Sequence, residues 1–520
     1  MYCKCVDSIF KKGKKMNSWM EGYSSDVEYT TSYYREVDPS FLNLCLVMAG
    51  VEPIDTSEEF SYCELGCGHG LTILSLATNY PNGVFYAVDY NPSHIAQART
   101  TAKKAGLDNI YFFEKSFQEL IDAPSLLPMV DYMVFHGIYT WVNEMNRANL
   151  VELCHRYIKS GGVVYNSYNA KPGWLYDEPI QKLILGLSKE YRGDSIAQIK
   201  EVTKTLESLQ GIEHGYFKTN AISIKKRIKK IKNSNPNYTV HEYLHENWRA
   251  FYFPEVCEEM ERAKLTYLSQ ANPAEAYSEP LLPLSLKERL RDIHDNKNRE
   301  LLKDFTVNRI FRKDIYVRGM RRALEEDEKL LWFLDKEWIL LTIEEIKTFE
   351  FELSTGKATG NAPLYRTIVN LLKKEPLSTK RLQEITEIEL SIIVQSLILL
   401  YSEKMIAQYQ KRESPKAIVL NRILTQNATA RASQYIILPY ANIMLSLDSV
   451  SSIFMDGLYK GVVQKDALVA YVYNRLTLKK LSIISEDKQV QGEKMKKALY
   501  LIEKRLRETF LPILKQTGGI

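Results

Sequence analysis

Tyr62-Cys63-Glu64-Leu65-Gly66-Cys67-Gly68-His69-Gly70 passes from an apolar run into three glycines at alternate positions. The residues around its start read as a strand over 60–65. Those after it read as a helix over 71–80, with Leu71, Leu74, Leu76 and Ala77 on the apolar side. Glycine has no Cβ, so the turn between them lets the backbone pass close to a ligand. The helix that follows offers its first N–H groups to the same place.

A second strand, 84–88, ends in Asp89, nineteen residues after Gly70. An acid at that tip is placed to bind the two hydroxyls of a ribose. The alternation continues through a helix over 92–106, opened by Pro92 and closed by Gly106, and a third strand over 110–114 with Ser116 and Phe117 at its tip. A loop over 122–128, a fourth strand over 131–136, a helix over 146–159 and a fifth strand over 163–167 complete it. Strands that alternate with helices predict an α/β fold with a parallel, doubly wound sheet. Ligand and chemistry then belong at the carboxyl ends of the strands, at 64–70, 89–91, 116–117, 136–141 and 166–169. Further strands are expected over 264–269 and 314–318, which would make the sheet seven-stranded.

Length, at 520 residues, predicts several domains, and the 45% apolar content can fill their cores. The net charge of +5 is mild and does not select nucleic acid as a partner. Seven cysteines, an odd number without paired metal spacing, fit a reduced, cytoplasmic protein, and Cys67 reads as a small packing residue. No apolar run approaches the roughly 20 residues of a membrane span. The first sixteen residues are basic without an apolar centre, so they do not read as a signal peptide, and Met16 is an alternative start.

The expected organisation is an N-terminal extension (1–20), a core (21–174), a helical insertion (175–240), a middle segment completing the sheet (241–320), a winged-helix-like domain (321–411) and a mostly helical C-terminal domain (412–520). Within the insertion, 223–233 reads as a basic amphipathic helix with Ile224, Ile228 and Ile231 on one face, either a solvated face or a dock for an acidic protein. His241-Glu242-Tyr243-Leu244-His245 has the spacing of a zinc-protease helix, but the apolar approach of a buried metal helix is missing, so no metal is assigned. In the winged-helix-like domain the third helix, 389–402, contains no lysine or arginine, which opposes DNA binding.

Two families of cofactor compete for the glycine turn. A dinucleotide fold usually carries Gly-x-Gly-x-x-Gly, whereas here Glu64 precedes Gly-x-Gly-x-Gly. That pattern resembles motif I of the class I S-adenosylmethionine methyltransferases. Further stretches widen the resemblance: Gly22-Tyr23, Asp26, Tyr29, Tyr33-Tyr34, Glu36 and Pro39; His136-Gly137-Ile138 with Trp141-Val142; Ser167-Tyr168-Asn169 with Pro172-Gly173-Trp174; and His241-Glu242-Tyr243-Leu244. Together they are similar to methyltransferases with an attached regulatory domain, in particular the rickettsial protein-lysine methyltransferases that modify an outer-membrane surface protein. Lys171 departs from an otherwise apolar position of that pattern.

The resemblance implies S-adenosylmethionine as cofactor, a helical dimerisation insertion and hence a homodimer, and lysine Nε methylation of a protein. It places Glu64, Gly66, Cys67, Gly68 and Gly70 at the methionine end, Asp89 at the ribose, and Tyr90, Asn91, Ser116 and Phe117 around the adenosine. His136 falls between cofactor and substrate. Tyr29, Tyr33, Trp141, Tyr168 and Asn169 are the candidates for orienting the amine, with Asp26 or Glu36 as a charge partner. The alternatives are a methyltransferase of a small molecule and a cofactor-binding regulatory protein.

Overall fold

In the computed structural model of the protein the described residues are 32–342, 346–412, 414–426, 434–479, 483–485 and 488–520. Tyr29, Asp26 and the rest of the 1–31 stretch lie outside them.

Seven strands form one sheet: β1 (Phe60–Leu65), β2 (Gly83–Asp89), β3 (Ile110–Glu114), β4 (Val130–Phe135), β5 (Ile158–Asn169), β6 (Leu265–Gln270) and β7 (Phe311–Arg318). Their order is β3-β2-β1-β4-β5-β7-β6. From β3 to β5 every neighbouring pair is parallel. Only β7 runs the other way: it pairs antiparallel with β5, from Val163↔Val317 to Asn169↔Phe311, and with β6, which therefore runs in the direction of β1–β5. The sheet is therefore mixed. The chain leaves β1 towards β2 on one side and returns to β4 on the other, which opens a crevice at the carboxyl ends of those strands.

Side chains alternate across a strand, and both faces are covered here. Tyr62, Phe85, Tyr132 and Tyr165 pack on one face with α1 (Pro39–Met48) and α2 (Leu71–Asn79). Cys63, Leu65, Val88, Met133 and Phe135 point to the other. Asp38 caps α1 by accepting from the Ser40 N–H at 2.7 Å. Asn91 caps α3 (Pro92–Ala105), and Gly106 ends it in a left-handed conformation (φ 70°). Two elements differ from the sequence reading, one added and one shifted. A short helix, α4 (Phe117–Asp122), follows Ser116, and α5 runs over Glu144–Tyr157.

The insertion is helical as expected: α6 (Glu178–Ser188), α7 (Ser195–Ser208), α8 (Gly215–Thr219), α9 (Ala221–Asn233) and α10 (Pro236–Tyr243). Ile224, Ile228 and Ile231 of α9 are buried against Val202 and Leu206, and Lys225, Lys226 and Lys229 face solvent. Helix α11 (Phe253–Glu261) then leads into β6.

After the sheet, helices Ala362–Leu372, Thr379–Thr386 and Leu390–Ser402 sit beside a small sheet whose central strand is Glu337–Leu340. Ser378 caps the second, its Oγ accepting from the Arg381 N–H at 3.1 Å. The third is buried from Ser396 to Tyr401, so most of its surface belongs to the core. The C-terminal segment contains two hairpins that the helical reading missed, Gln434–Leu438 with Ile443–Leu447 and Ile483–Ser485 with Lys488–Val490. A five-residue apolar run carries too little periodicity to separate strand from helix.

Candidate cofactor and substrate site

A cavity of about 200 Å³ opens at the crevice between β1 and β4. Its floor is the glycine turn. Gly66 (φ 77°), Gly68 (φ 54°) and Gly70 (φ 75°) all adopt the left-handed region that favours glycine. A Cβ on Gly66 would lie 2.3 Å from Cδ1 of Ile138, whereas one on Gly68 would meet nothing within 4 Å. The first glycine is thus demanded by packing against the wall of the cavity. Glu64 lines the same space, and its Oε2 is buried without a hydrogen-bond partner. Burial, followed by the nearby Asp89 carboxylate, pushes the Glu64 carboxyl up to about 8.

Asp89 sits at the tip of β2 and holds the turn in shape. Its Oδ2 accepts from the Gly68 N–H at 2.8 Å, and its Oδ1 from the Asn91 N–H at 2.9 Å. The His94 ring stands 3.3 Å from Oδ1 and 4.4 Å, centroid to centroid, from that of His69. Tyr90, Lys115, Ser116 and Phe117 continue the wall along the tips of β2 and β3. Ser116 is tied into a capping box with Glu119 at the start of α4, which holds Phe117 at the rim. Asn91 is spent on its own helix cap, accepting from the Ser93 N–H at 3.0 Å, and does not line the cavity.

The tip of β4 supplies the opposite side. His136 is half-buried, and desolvation there pushes its imidazole down to about 4, so it is neutral at physiological pH. The Tyr34 ring stacks on it at 3.7 Å, and its Nδ1 lies 2.8 Å from the Tyr165 hydroxyl. Beyond it come Ile138 and Trp141, then Asn143, which caps α5 through its side chain.

The remaining wall comes from far along the chain: His241, His245 and Asn247. The Trp141 Nε1–H donates to the His241 carbonyl at 3.2 Å, which locks the two walls together. Burial, with His241 beside it, pushes His245 down to about 3. The zinc-like spacing therefore lies in the wall of this cavity. His241 is on α10 and His245 is past its end, and among the described residues no three side chains are grouped to hold a metal.

Of the described residues expected to orient an amine, Trp141 alone lines the cavity, and Tyr29 lies outside the described residues. Tyr33 reaches the other way, its hydroxyl 3.4 Å from the Asn442 carbonyl. Tyr168 is fully buried and donates to Asp314 Oδ2 at 2.6 Å, within a network centred on the buried Arg312, which pairs with Asp304 and Asp314. Asn169 braces the tip of β5. Its Nδ2 reaches Glu242 Oε1 at 3.3 Å, and its backbone N–H donates to Thr140 Oγ1 at 2.8 Å. Glu36 pairs with Lys313 rather than facing the cavity. Sequence reasoning missed Tyr34, His94, Lys115, Asn143 and Asn146. His94 could have been found from its place one turn into the helix after Asp89.

These residues fit S-adenosylmethionine. A buried carboxyl without a partner can receive the ammonium of its methionine part, glycines leave room for its backbone, and Asp89 presents a carboxylate at the ribose position.

Comparison with known proteins agrees. Residues 63–162 match the model of a methyltransferase domain, and residues 235–318 that of a predicted methyltransferase regulatory domain. An uncharacterized protein of Synechocystis is 35% identical over 386 residues, 74% of this chain and 76% of that one. A protein of Rickettsia prowazekii is 29% identical over 360 residues, 68% of this chain and 62% of its own length. Among solved structures, PKMT2 from Rickettsia typhi in complex with AdoHcy superposes with a TM-score of 0.70 at 18% identity, covering 92% of this chain and 98% of that one, and shares its fold. The chain belongs to the class I S-adenosylmethionine-dependent methyltransferases that carry a methyltransferase regulatory domain.

Proposed function

We propose that this enzyme methylates the Nε of lysine on a protein, a bacterial surface or outer-membrane protein being the class the motif resemblance suggests. The observation that carries the reading is the composition of the substrate side of the cavity: Tyr34, His136, Trp141, His241 and His245 surround it with aromatic rings, and among the described residues no carboxylate lines that side. The bound cofactor supplies an electrophilic methyl on a sulfonium. The protein's task is to hold a neutral amine in line with it, mainly by positioning. At pH about 7.4 a free lysine lies about three units below its pKa, a cost of roughly 4 kcal/mol. Desolvation among neutral rings reduces that cost, because burial disfavours the ammonium.

In this reading Trp141 packs along the lysine stem and His136 stands at the boundary between cofactor and substrate, beside the line of transfer. Tyr168 and Asn169 act as positioning residues through Asp314 and Glu242, and Tyr33 steadies the segment that carries Tyr34. Tyr29 keeps its assignment from the motif. Glu64 and the glycines take the methionine part, Asp89 the ribose, and Tyr90, Ser116 and Phe117 the adenosine, with Asn91 shaping that wall from its cap. Helices α6–α9 are the surface for a second copy, and the protein works in the cytoplasm. Among the described residues no helix is long and apolar enough to cross a membrane.

The test is methyl transfer from S-adenosylmethionine to lysine-rich surface proteins, mapped by tandem mass spectrometry, with Asp89→Ala as control. Methyl gains on lysine that vanish in the control support the proposal. Cofactor binding with no gain on any protein redirects it to a small-molecule substrate.

A further inference from the structure

A second cavity, of about 240 Å³, lies where the sheet meets the helices beyond residue 360. Three separate parts of the chain wall it: Arg35 and Phe41 at the entry to α1, Gln270 with Lys313 at the ends of β6 and β7, and Ser402 with Lys404 after the helix Leu390–Ser402. Its two carboxylates are already engaged. Glu36 pairs with Lys313, and Glu275 with Arg309. Burial alone would raise the Glu36 carboxyl, yet Lys313 outweighs it and holds that carboxyl down to about 2, so the pair is ionised.

Arg35 and Lys404 are left over. Arg35 is 9% exposed, and its guanidinium lies 3.8 Å from the centre of the Tyr401 ring and donates to the Tyr401 carbonyl at 2.7 Å. It pairs with no carboxylate among the described residues, and its Nε–H is buried without an acceptor. Lys404 is exposed and makes no ion pair among the described residues. Two more buried polar atoms in the walls also lack partners, Nε2 of Gln270 and Oγ of Ser402. With no counter-charge among the described residues the Arg35 guanidinium is costly to bury, and the unsatisfied donors of Gln270 and Ser402, residues of the same cavity wall, add to that cost. Arg Nε–H and Gln Nε2–H only donate, and a Ser hydroxyl can. Their common complement is an acceptor with several oxygens and negative charge.

We propose that this cavity is a binding site for a small oxyanion, a phosphate or carboxylate group, distinct from the cofactor cavity. Arg35, Gln270 and Ser402 hold the anion, and Lys404 closes the mouth. The site joins the catalytic sheet to the C-terminal helices, because its donors come from both.

The experiment is calorimetric titration of the full chain, saturated with S-adenosylhomocysteine so that the first cavity is filled, with inorganic phosphate, sulfate and malonate at fixed ionic strength. The expected result is saturable one-to-one binding of at least one probe, weakened about tenfold or more by Arg35→Gln and by Gln270→Leu. Preference for phosphate over malonate identifies a phosphate-bearing ligand, and the reverse a carboxylate-bearing one. Lys404→Gln, on the surface, serves if Arg35→Gln does not fold, and should also weaken binding. No saturation by any probe, or binding that Gln270→Leu and Lys404→Gln leave unchanged, overturns the proposal.

Discussion

The cofactor cavity has two walls of different origin. One is built from strand tips that lie close together in the chain, 64–70, 89–90, 115–117 and 136–143. The other is contributed by 241–247, about a hundred residues downstream of the last of them. The first wall carries the two carboxyl groups, Glu64 and Asp89. The second carries two histidines and an asparagine. On the proposed assignment, cofactor recognition is concentrated in a local motif, and the environment of the incoming group depends on how the regulatory segment docks.

Separating the two walls by mutation should separate binding from turnover. The largest effect is expected from Asp89→Ala, which removes the acceptor for the Gly68 and Asn91 N–H groups as well as the proposed ribose contact. Cofactor affinity should fall about 100-fold or more, roughly 3 kcal/mol, with methyl transfer lost, as read by calorimetry and mass spectrometry.

Trp141→Ala breaks the seam between the walls. Turnover should fall about 10- to 100-fold through misplacement of the substrate, and cofactor affinity should stay within about threefold. An equal loss in both would show that the walls act as one unit.

Glu64 sharpens the cofactor side. Because its carboxyl is raised to about 8, it holds its proton at pH 7 and must release it to receive an ammonium. Affinity for S-adenosylhomocysteine should therefore rise with pH between about 6 and 8, by up to tenfold per unit, and level off above. Calorimetry in buffers of different ionisation enthalpy should find about one proton released at pH 7, and none in Glu64→Gln.

The smallest effect is expected on the far wall. His245 is held neutral down to about pH 3 by burial, so it should add no inflection to the rate between pH 5 and 8. His245→Gln should raise the substrate KM about threefold and leave cofactor affinity unchanged. A lost inflection in the variant would contradict a neutral histidine.

The strands and helices of the core were legible because each strand is short, apolar and bounded by a turn residue. Ile110–Glu114 and Phe60–Leu65 fall at the expected positions. Glu64, Gly66 and Asp89, which line the cavity, were legible because type and spacing mark them, and Trp141 through the wider motif resemblance. Tyr34 was not, since its role depends on stacking with His136, which is about a hundred residues away. Tyr168 misled for the opposite reason: it stands one residue before the end of β5, where alternation turns it into the core towards Asp314.

The chain's own order of residues determines the glycine turn, the acid at the tip of β2 and therefore the cofactor class, because all of these are local geometry. Tertiary packing alone decides that β7 lies between β5 and β6, that His241 and His245 line the same cavity as the glycine turn, and that Arg35, Gln270 and Ser402 meet around a second one. Those outcomes depend on which buried polar groups find partners across long stretches of chain, and no local pattern encodes that.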